Sequence, residues 1–399
     1  GTAPLTAFHF HQVSLVGVVA NPLVIPLFGA VAVGLGLTGV ALEPLLPGAA
    51  AALFGAAGAV VGPGLALVRM LARPAWAAVE VPLPSVPEVG LLYALLVGLV
   101  FLPRRGARLL TVVALTALLA DGAWWVRERY FRSTLRVTFL DVGQGDAAVA
   151  ELADGRVLVV DAGGFPGGDF DTGGALVSPF LLARKIRGID VLAMTHAHPD
   201  HSGGLPYLLV HHRPRVFWWT GVPGTGVEWE RLRATLAETR TPTRLLRASA
   251  APPGATIEVV HPGPIDGATS LNDSSLTLRV RFGEVAILLT GDVESRAEAR
   301  MLETPRRLRA AVLKVPHHGS RTSSTRGFLD AVRPEVAVVS VGADNRYRLP
   351  APEILARYRR QGVCVLRTDR CGAVTIETDG RTVAVRSRRG CVCPATPPS

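Results

Sequence analysis

Residues 195–204 read Thr-His-Ala-His-Pro-Asp-His-Ser-Gly-Gly, directly after the apolar run Val191-Leu192-Ala193-Met194. The run predicts a buried strand. Three imidazoles and one carboxylate (His196, His198, Asp200 and His201) therefore sit in a loop at a strand's end, just before a Gly pair and a fresh turn. Neutral imidazole and carboxylate are the ligand set of zinc, manganese and iron sites. One cation cannot easily take all four groups from so short a stretch. Two cations solve the problem, with His196 and His198 on one and Asp200 and His201 on the other. Paired metals about 3.5–4 Å apart are a common clamp for hydrolysing phosphate esters. A chance run of surface histidines is the alternative, and the H-x-H-x-D-H spacing argues against it.

Two further segments repeat the plan of strand followed by ligand. Val285-Ala286-Ile287-Leu288-Leu289 runs into Thr290-Gly291-Asp292, which makes Asp292 the candidate for an oxygen bridging both cations. Ala311-Val312-Leu313-Lys314-Val315 runs into Pro316-His317-His318-Gly319-Ser320. One histidine of this pair is expected to ligate, and His318 is favoured. His317 then touches substrate phosphate or acts as a general acid. The structural alternatives are a turn residue for Asp292 and a solvated turn for the His pair.

Between these motifs the pattern is α/β. Strands are predicted at 134–139, 147–152 and 157–160, with Asp154-Gly155 as a hairpin turn, and in the second half at 276–282, 285–290, 311–315 and 336–341. Helices are predicted at 175–187, 227–239 and 294–301. Ser323-Ser324-Thr325 reads as the cap of another helix ending at Val332. That helix's N-terminus, beside His318, is a natural phosphate site, where Ser320, Thr322 and Ser323 are positioned to hydrogen-bond an ester; plain capping is the alternative. Two strand-rich halves with helices outside give a four-layer sandwich, with the ligands at one edge where strand ends meet.

The motifs carry a resemblance. Phe139-Leu140-Asp141-Val142-Gly143-Gln144-Gly145-Asp146-Ala147, Val159-Val160-Asp161-Ala162-Gly163-Gly164, the 195–204 cluster, Ser270-Leu271-Asn272-Asp273-Ser274-Ser275-Leu276, the Thr290-Gly291-Asp292 strand end and the Lys314–Ser324 segment run in order. Together they resemble the C-terminal domain of the ComEC family of DNA-uptake proteins, a branch of the metallo-β-lactamase superfamily. The resemblance implies an αββα four-layer sandwich, two divalent metal ions (Zn or Mn) and a hydrolytic site. It implies that Asp161 braces the ligand loop, and that Asp141, Gln144, Asp146, Asn272, Ser274 and Thr322 support the ligands or touch substrate. Ser320 joins Asp200 and His317 as a candidate catalytic residue. Many members of the superfamily place a further histidine between the cluster and the bridging Asp. Here that interval offers His211, His212 and His261, none in the usual Gly-His setting, and the turn 272–275 occupies the region instead. The first metal is expected to lack a protein ligand.

The first part of the chain tells a different story. Residues 1–126 carry five basic and four acidic side chains. Residues 22–42 and 48–68 are apolar and uncharged, each close to the roughly 20 residues a membrane-spanning helix needs. Residues 89–102 and 109–120 qualify only when extended, the last towards Trp124-Trp125, a pair suited to an interfacial belt. A buried helix bundle is the alternative, and a signal peptide is excluded by the number and length of the runs. The expected domains are transmembrane helices over 1–126, resembling the end of the ComEC permease region, a hydrolase over 133–385 and a disordered tail over 386–399. The chain starts without Met, and a truncated product or fragment lacking the family's longer N-terminal part is expected. The Arg104-Arg105-Arg108 loop places itself in the cytoplasm by the positive-inside rule, which puts the hydrolase outside; Arg127, Arg129, Arg132 and Arg136 argue the opposite hand. The resemblance favours the extracytoplasmic side of a multi-pass membrane protein.

Most of the charge lies beyond residue 126, with 37 of the chain's 42 basic and 28 of its 32 acidic groups, the bases nearly all Arg. Arginine suits bidentate phosphate contacts, and a basic surface steers polyanions. Biased composition is the alternative. Of the four cysteines, Cys391 and Cys393 are too close for easy mutual pairing. Cys364 and Cys371 flank a predicted strand–turn–strand unit over 363–365 and 374–376 and are candidates to pair; a four-thiolate metal site is the alternative. The reading is a membrane-anchored metal-dependent phosphodiesterase, by resemblance a nuclease on DNA during uptake in transformation, partnered by other competence machinery. Its rivals are a metallo-hydrolase on a small or cell-wall substrate, and a non-catalytic DNA-binding part of the uptake channel.

Overall fold

A computed structural model of the chain describes residues 2–74, 76–165, 167, 170–248, 256–263, 265 and 269–393. It divides into two compact units, residues 1–120 with 182–185, and residues 121–181 with 186–399. In the first, strands β1 (Gln12–Ser14) and β2 (Ala78–Glu80) pair antiparallel, and the rest is helical. Gly17–Leu42 and Pro47–Ala72 are helical over 26 residues each, as is Arg105–Tyr130, which runs on into the second unit. At 1.5 Å per residue each is about 39 Å long, enough to cross a hydrocarbon core of about 30 Å. Pro22 and Pro26 lie in the first, and the ladder shifts to π spacing over Pro26–Ala32, the local repair expected where proline removes a backbone donor. Leu37, Val40, Leu109 and Leu119 are each more than 60% exposed, the outward apolar surface that a lipid surrounding satisfies. Val86–Val100, held by a Ser85/Glu88 capping box, has 15 residues and is shorter than such a span.

The second unit is a sandwich of two sheets. The larger has eight strands, which lie across it in the order listed last here: β3 (Leu135–Phe139), β4 (Ala148–Glu151), β5 (Val157–Val160), β6 (Val191–Ala193), β7 (Val216–Trp219) and β8 (Thr243–Leu245), with β15 (Val374–Thr378) and β16 (Val383–Ser387) beside β3, giving β16-β15-β3-β4-β5-β6-β7-β8. The smaller comprises β9 (Ile257–His261), β10 (Thr277–Phe282), β11 (Val285–Leu289), β12 (Val312–Lys314), β13 (Val336–Val339) and β14 (Cys364–Arg367), in the order β14-β13-β12-β11-β10-β9. Strands β5 to β8 run parallel, as do β11 to β14.

Period-two alternation assigns every layer. Leu135, Val137 and Phe139 of β3, Leu158 and Val160 of β5, Ile287 and Leu289 of β11, and Val336 and Val338 of β13 share one core between the sheets. The alternate residues Val157 and Val159 pack instead under helices bearing Leu181, Leu205, Leu208 and Leu232. Ala286, Leu288, Ala337 and Val339 pack under helices bearing Met301, Phe328, Ile354 and Tyr358. The result is helix, sheet, sheet, helix. The carboxyl ends of β5, β6, β11, β12 and β13 deliver Asp161, the 195–204 loop, Asp292, the His pair and Ser340, where ligands bind in parallel sheets.

Two expectations are corrected. Residues 363–365 and 374–376 are not neighbouring strands of one turn: β14 belongs to the six-stranded sheet and β15 to the eight-stranded one, and the chain passes between them through the short helix Thr368–Cys371. The cysteines accordingly pair as Cys364–Cys393 and Cys371–Cys391, because Cys371 leads away from the sheet that holds Cys364. The tail does not loosen at residue 386. Strand β16 runs through Ser387 and the two bridges fasten residues 391 and 393; residues 394–399 lie outside the described residues.

Candidate metal centre

The ligand loop is fixed by backbone that only glycine permits. Gly145 (φ +136°) and Gly164 (φ +150°) lie so close to it that a Cβ on either would sit about 2 Å from the carbonyl oxygen of Asp200 or Pro199. Asp161, buried at the end of β5 with φ 57°, accepts hydrogen bonds from the Thr195 amide (2.8 Å), the Thr195 hydroxyl (2.7 Å) and His201 Nδ1 (2.8 Å). That last bond fixes the tautomer of His201 and turns its Nε2 inward.

The inward atoms converge. Asp292 Oδ2 lies 3.3 Å from His201 Nε2, 3.3 Å from His318 Nε2 and 3.9 Å from His317 Nε2. Asp200 Oδ2 is 3.4 Å from His318 Nε2. Donor atoms of Asp200, His201, Asp292 and His318 thus all lie within 4.8 Å of one another. His318 Nδ1 bonds the Ser340 carbonyl at 2.8 Å, so its Nε2 too is committed inward. Both Nε2 atoms are buried without a hydrogen-bond partner among the described residues. Buried polar atoms are nearly always satisfied; two orphaned imidazole nitrogens facing ionised carboxylates are what a bound divalent cation would complete. His196 Nε2 and His198 Nδ1 approach to 2.9 Å beside this cluster, and Ser275 Oγ reaches His196 Nδ1 at 3.3 Å. His317 and His318 both hold left-handed φ (46° and 52°), backbone strain of the kind concentrated at functional sites.

The electrostatics agree. Burial, then the His201 charge, drives His196 well below the ordinary imidazole value, and burial lowers His198 too; both are neutral and fit to ligate. Burial opposes the charge on Asp292, but His318, His201 and Lys314 outweigh it and hold the carboxyl well below the usual range. Burial likewise disfavours a charged His318, yet Asp292 and Asp146 push it up to about 10. The cluster has an excess of negative charge and draws cations to its nitrogens.

The remaining candidates divide. Asp146 is buried, ion-paired to Lys314 and 3.6 Å from His318 Nδ1. Gln144 and Asn272 line a cavity of about 800 Å³ that opens onto Asp200, Asp292 and both residues of the His pair, and Gln144 Oε1 accepts from the Gly342 amide. Thr322 bonds Glu294 (2.8 Å) and His317 Nδ1 (3.2 Å). Ser320 faces Thr322 at 3.0 Å. Asp141 points to Arg389 (3.8 Å), and Ser274 bonds back to the Leu271 carbonyl inside its turn; neither belongs to the metal cluster or lines the cavity. The phosphate site expected at the Arg326–Val332 helix is filled: the buried Glu298 carboxylate accepts from the Ser324 and Thr325 amides, and Thr325 Oγ1 from the Phe328 amide. Of the spare histidines, His212 bonds Ser178, His261 bonds the Asp273 carbonyl and His211 stacks on Tyr207.

Sequence reasoning missed Lys314, a buried ammonium that pairs with Asp146 and reaches Asp292 Oδ1 (3.4 Å) and the Gly291 carbonyl (3.0 Å). Its signal was a lysine inside an otherwise apolar strand. Glu294, 3.1 Å from His317 Nδ1, and the cavity wall 342–349 were also missed.

Comparison with known proteins accords with this arrangement. Residues 140–343 match the family model described as the metallo-beta-lactamase superfamily, and residues 1–106 the one described as Competence protein. ComE operon protein 3 of Bacillus subtilis (strain 168) is 29% identical over 391 residues, 94% of this chain and 50% of that protein. Competence protein ComA of Neisseria gonorrhoeae is 31% identical over 378 residues, 93% of this chain and 49% of that protein. The chain spans about half the length of these curated relatives. Igni18, a metallo hydrolase from the archaeon Ignicoccus hospitalis, aligns with 61% of this chain and 98% of its own at 17% identity and a TM-score of 0.39. The superfamily match alone covers half of the residues, and a competence-protein segment precedes it, so this chain belongs to the metallo-β-lactamase superfamily, in the competence-protein arrangement that its motifs resemble.

Proposed function

We propose that the chain is a membrane-anchored, metal-dependent phosphodiesterase acting as a nuclease on DNA during uptake. The observation that carries this reading is the convergence of Asp200, His201, Asp292 and His318, with two buried Nε2 atoms left unsatisfied. Asp200, His201, Asp292 and His318 would hold one divalent cation, and His196 with His198 would help hold a second; Zn²⁺ or Mn²⁺ suits the donors. Such cations, when bound, make water acidic enough to attack at neutral pH and neutralise charge on a phosphodiester.

The chain's own groups do the rest. Asp200, at the edge of the cavity, orients the attacking water and accepts its hydrogen bond. Asp161 and Ser340 keep His201 and His318 in their inward tautomers. Glu294 and Thr322 fix the His317 ring through Nδ1, directing Nε2 towards the cluster, where it donates to the departing oxygen. Lys314 holds Asp146 and one oxygen of Asp292 in place from below.

Two features support an extracytoplasmic hydrolase. Both disulfides call for an oxidising compartment. Arg132 and Arg136, which argued for the other hand, are neutralised within the second unit, Arg132 by Glu151 (3.3 Å) and Arg136 by Glu128 (2.9 Å) and Glu377 (3.3 Å). The competence segment and the apolar helices support the membrane, and DNA with other competence proteins as partners.

The test is cleavage of labelled single- and double-stranded DNA by the full chain in detergent with Mn²⁺ or Zn²⁺. Wild type is expected to cleave, and Asp292→Asn and His318→Ala to lose both cleavage and bound metal. A folded wild-type protein that cleaves with neither metal refutes the reading.

A further inference from the structure

The cavity beside the cluster is not walled by charge alone. One side is Phe165, which follows Gly163-Gly164 at the end of the β5 turn. Its ring lies over the bare backbone of Gly143, where a Cβ would come within 3.0 Å of Cζ. Another side is the loop 342–349 with Tyr347 and Arg346. Phe165 remains 38% and Tyr347 53% exposed. The loop is held by its own hydrogen bonds. Asn345 donates to the Gly342 and Leu349 carbonyls and accepts from the Leu349 amide. Arg346 sits 4.8 Å from the centre of the Tyr347 ring and donates to its hydroxyl at 2.6 Å. Two exposed aromatic rings, one with a guanidinium beside it, thus border the same cavity that Asp200, Asp292 and His317 line.

Exposed aromatic faces beside a cation are the elements with which proteins hold unpaired nucleic acid, bases stacking on rings while phosphates meet arginine. In a duplex the bases are already stacked on their neighbours and offer no free face. A small phosphodiester without a base gains nothing from either ring. We propose that Phe165 and Tyr347 are specificity-determining residues that stack nucleobases flanking the scissile phosphate, with Arg346 on the adjoining phosphate, so that the site takes an unpaired polynucleotide strand. This rests on the phosphodiesterase reading only for what happens after binding.

Binding is therefore measured separately from cleavage. The full chain in detergent, with chelator present, is titrated with a DNA strand carrying 2-aminopurine, whose emission falls when it stacks. Wild type is expected to bind and quench. Phe165→Ala and Tyr347→Ala are each expected to weaken binding roughly tenfold, the lower part of the range for base–aromatic stacking, and to lose the quench, while Tyr347→Phe keeps both. A strand of abasic spacers, which loses both stacks at once, is expected to bind wild type more weakly than the normal strand binds either alanine variant. Alanine variants that bind and quench like wild type, or an abasic strand bound as tightly as the normal one, overturn the proposal. Cleavage with Mn²⁺ then separates the two readings. Base-dependent binding without cleavage sinks the phosphodiesterase and leaves the stacking site. Cleavage indifferent to bases sinks the stacking site and leaves the phosphodiesterase.

Discussion

Replacing Lys314 by Met tests whether the floor of the site is electrostatic. Lys314 is 3% exposed, pairs with Asp146 and lies 3.4 Å from Asp292 Oδ1. At that 3.4 Å separation and an effective dielectric of about 20, one unit pair is worth about 5 kcal/mol before desolvation. Much of this is offset by the cost of burying the ammonium. What the substitution exposes is the other half of the balance: Asp146 is left buried, with one oxygen already lacking a hydrogen bond, its ammonium gone and only the imidazoles of His318 (3.6 Å) and His201 (3.7 Å) near it. Removing one partner of a buried pair costs about 3–5 kcal/mol. For a unit of this size that lowers Tm by roughly 6–20 °C, at about 2–4 °C per kcal/mol. The assay is tryptophan-detected thermal unfolding of the full chain in detergent with chelator present. The double variant Lys314→Met/Asp146→Asn removes the stranded charge with its partner and should recover at least half of the loss. An unchanged Tm in the single variant, or a double variant as unstable as the two singles added together, refutes an electrostatic role for Lys314.

Other consequences are as direct. Asp292→Asn or His201→Ala should abolish the rise in Tm that Mn²⁺ or Zn²⁺ gives the wild type, since stabilisation by a ligand follows its binding; a rise that persists in both variants would place the cation elsewhere. Cys393→Ser opens the bridge that closes a span of 29 residues, within which the Cys371–Cys391 bridge stays closed and shortens the released loop to about ten residues, and should cost about 2–3 kcal/mol on the chain-entropy account, read as a lower denaturant midpoint. Glu298 is raised above its ordinary 4.5, chiefly by burial. The folded state then binds its proton more tightly than the unfolded state, so the contribution is fully present below 4.5 and declines as pH rises through the folded value. The stability of wild type relative to Glu298→Gln should accordingly fall with increasing pH above 4.5, and a difference that is flat or rises over pH 4–7 would contradict this.

Much of the second unit was legible because its signals are local. Each segment of the candidate metal centre is a short apolar run followed at once by His or Asp, and period two along β3, β5, β11 and β13 assigns the faces without knowledge of the neighbours. The inward direction of His318 over His317 was not local. It depends on a Ser340 carbonyl 22 residues further on, at the end of the next strand. The role of Lys314 was hidden for the same reason: a lysine in a strand is usually read as solvated, and only the meeting of β12 with the turns bearing Asp146 and Asp292 buries it among acids.

The cysteines show most plainly where sequence spacing fails. Cys364 and Cys371 are seven residues apart, and Cys391 and Cys393 two, so proximity along the chain favours pairing the first two. The sheets reverse that preference. β14 is the edge of one sheet and β15 the second strand of the other, so the segment between them leaves one layer for the next and carries Cys371 away from Cys364. The antiparallel return of β16 along β15 then brings residues 391–393 back to the place where the crossing began, opposite both. Each of the late cysteines meets one of the early ones, Cys391 with Cys371 and Cys393 with Cys364. The two bridges thus fasten one sheet to the other beside the second of the two places where the chain passes between them. A segment that spacing and composition assign to a loose tail is, by topology, the clasp of the sandwich.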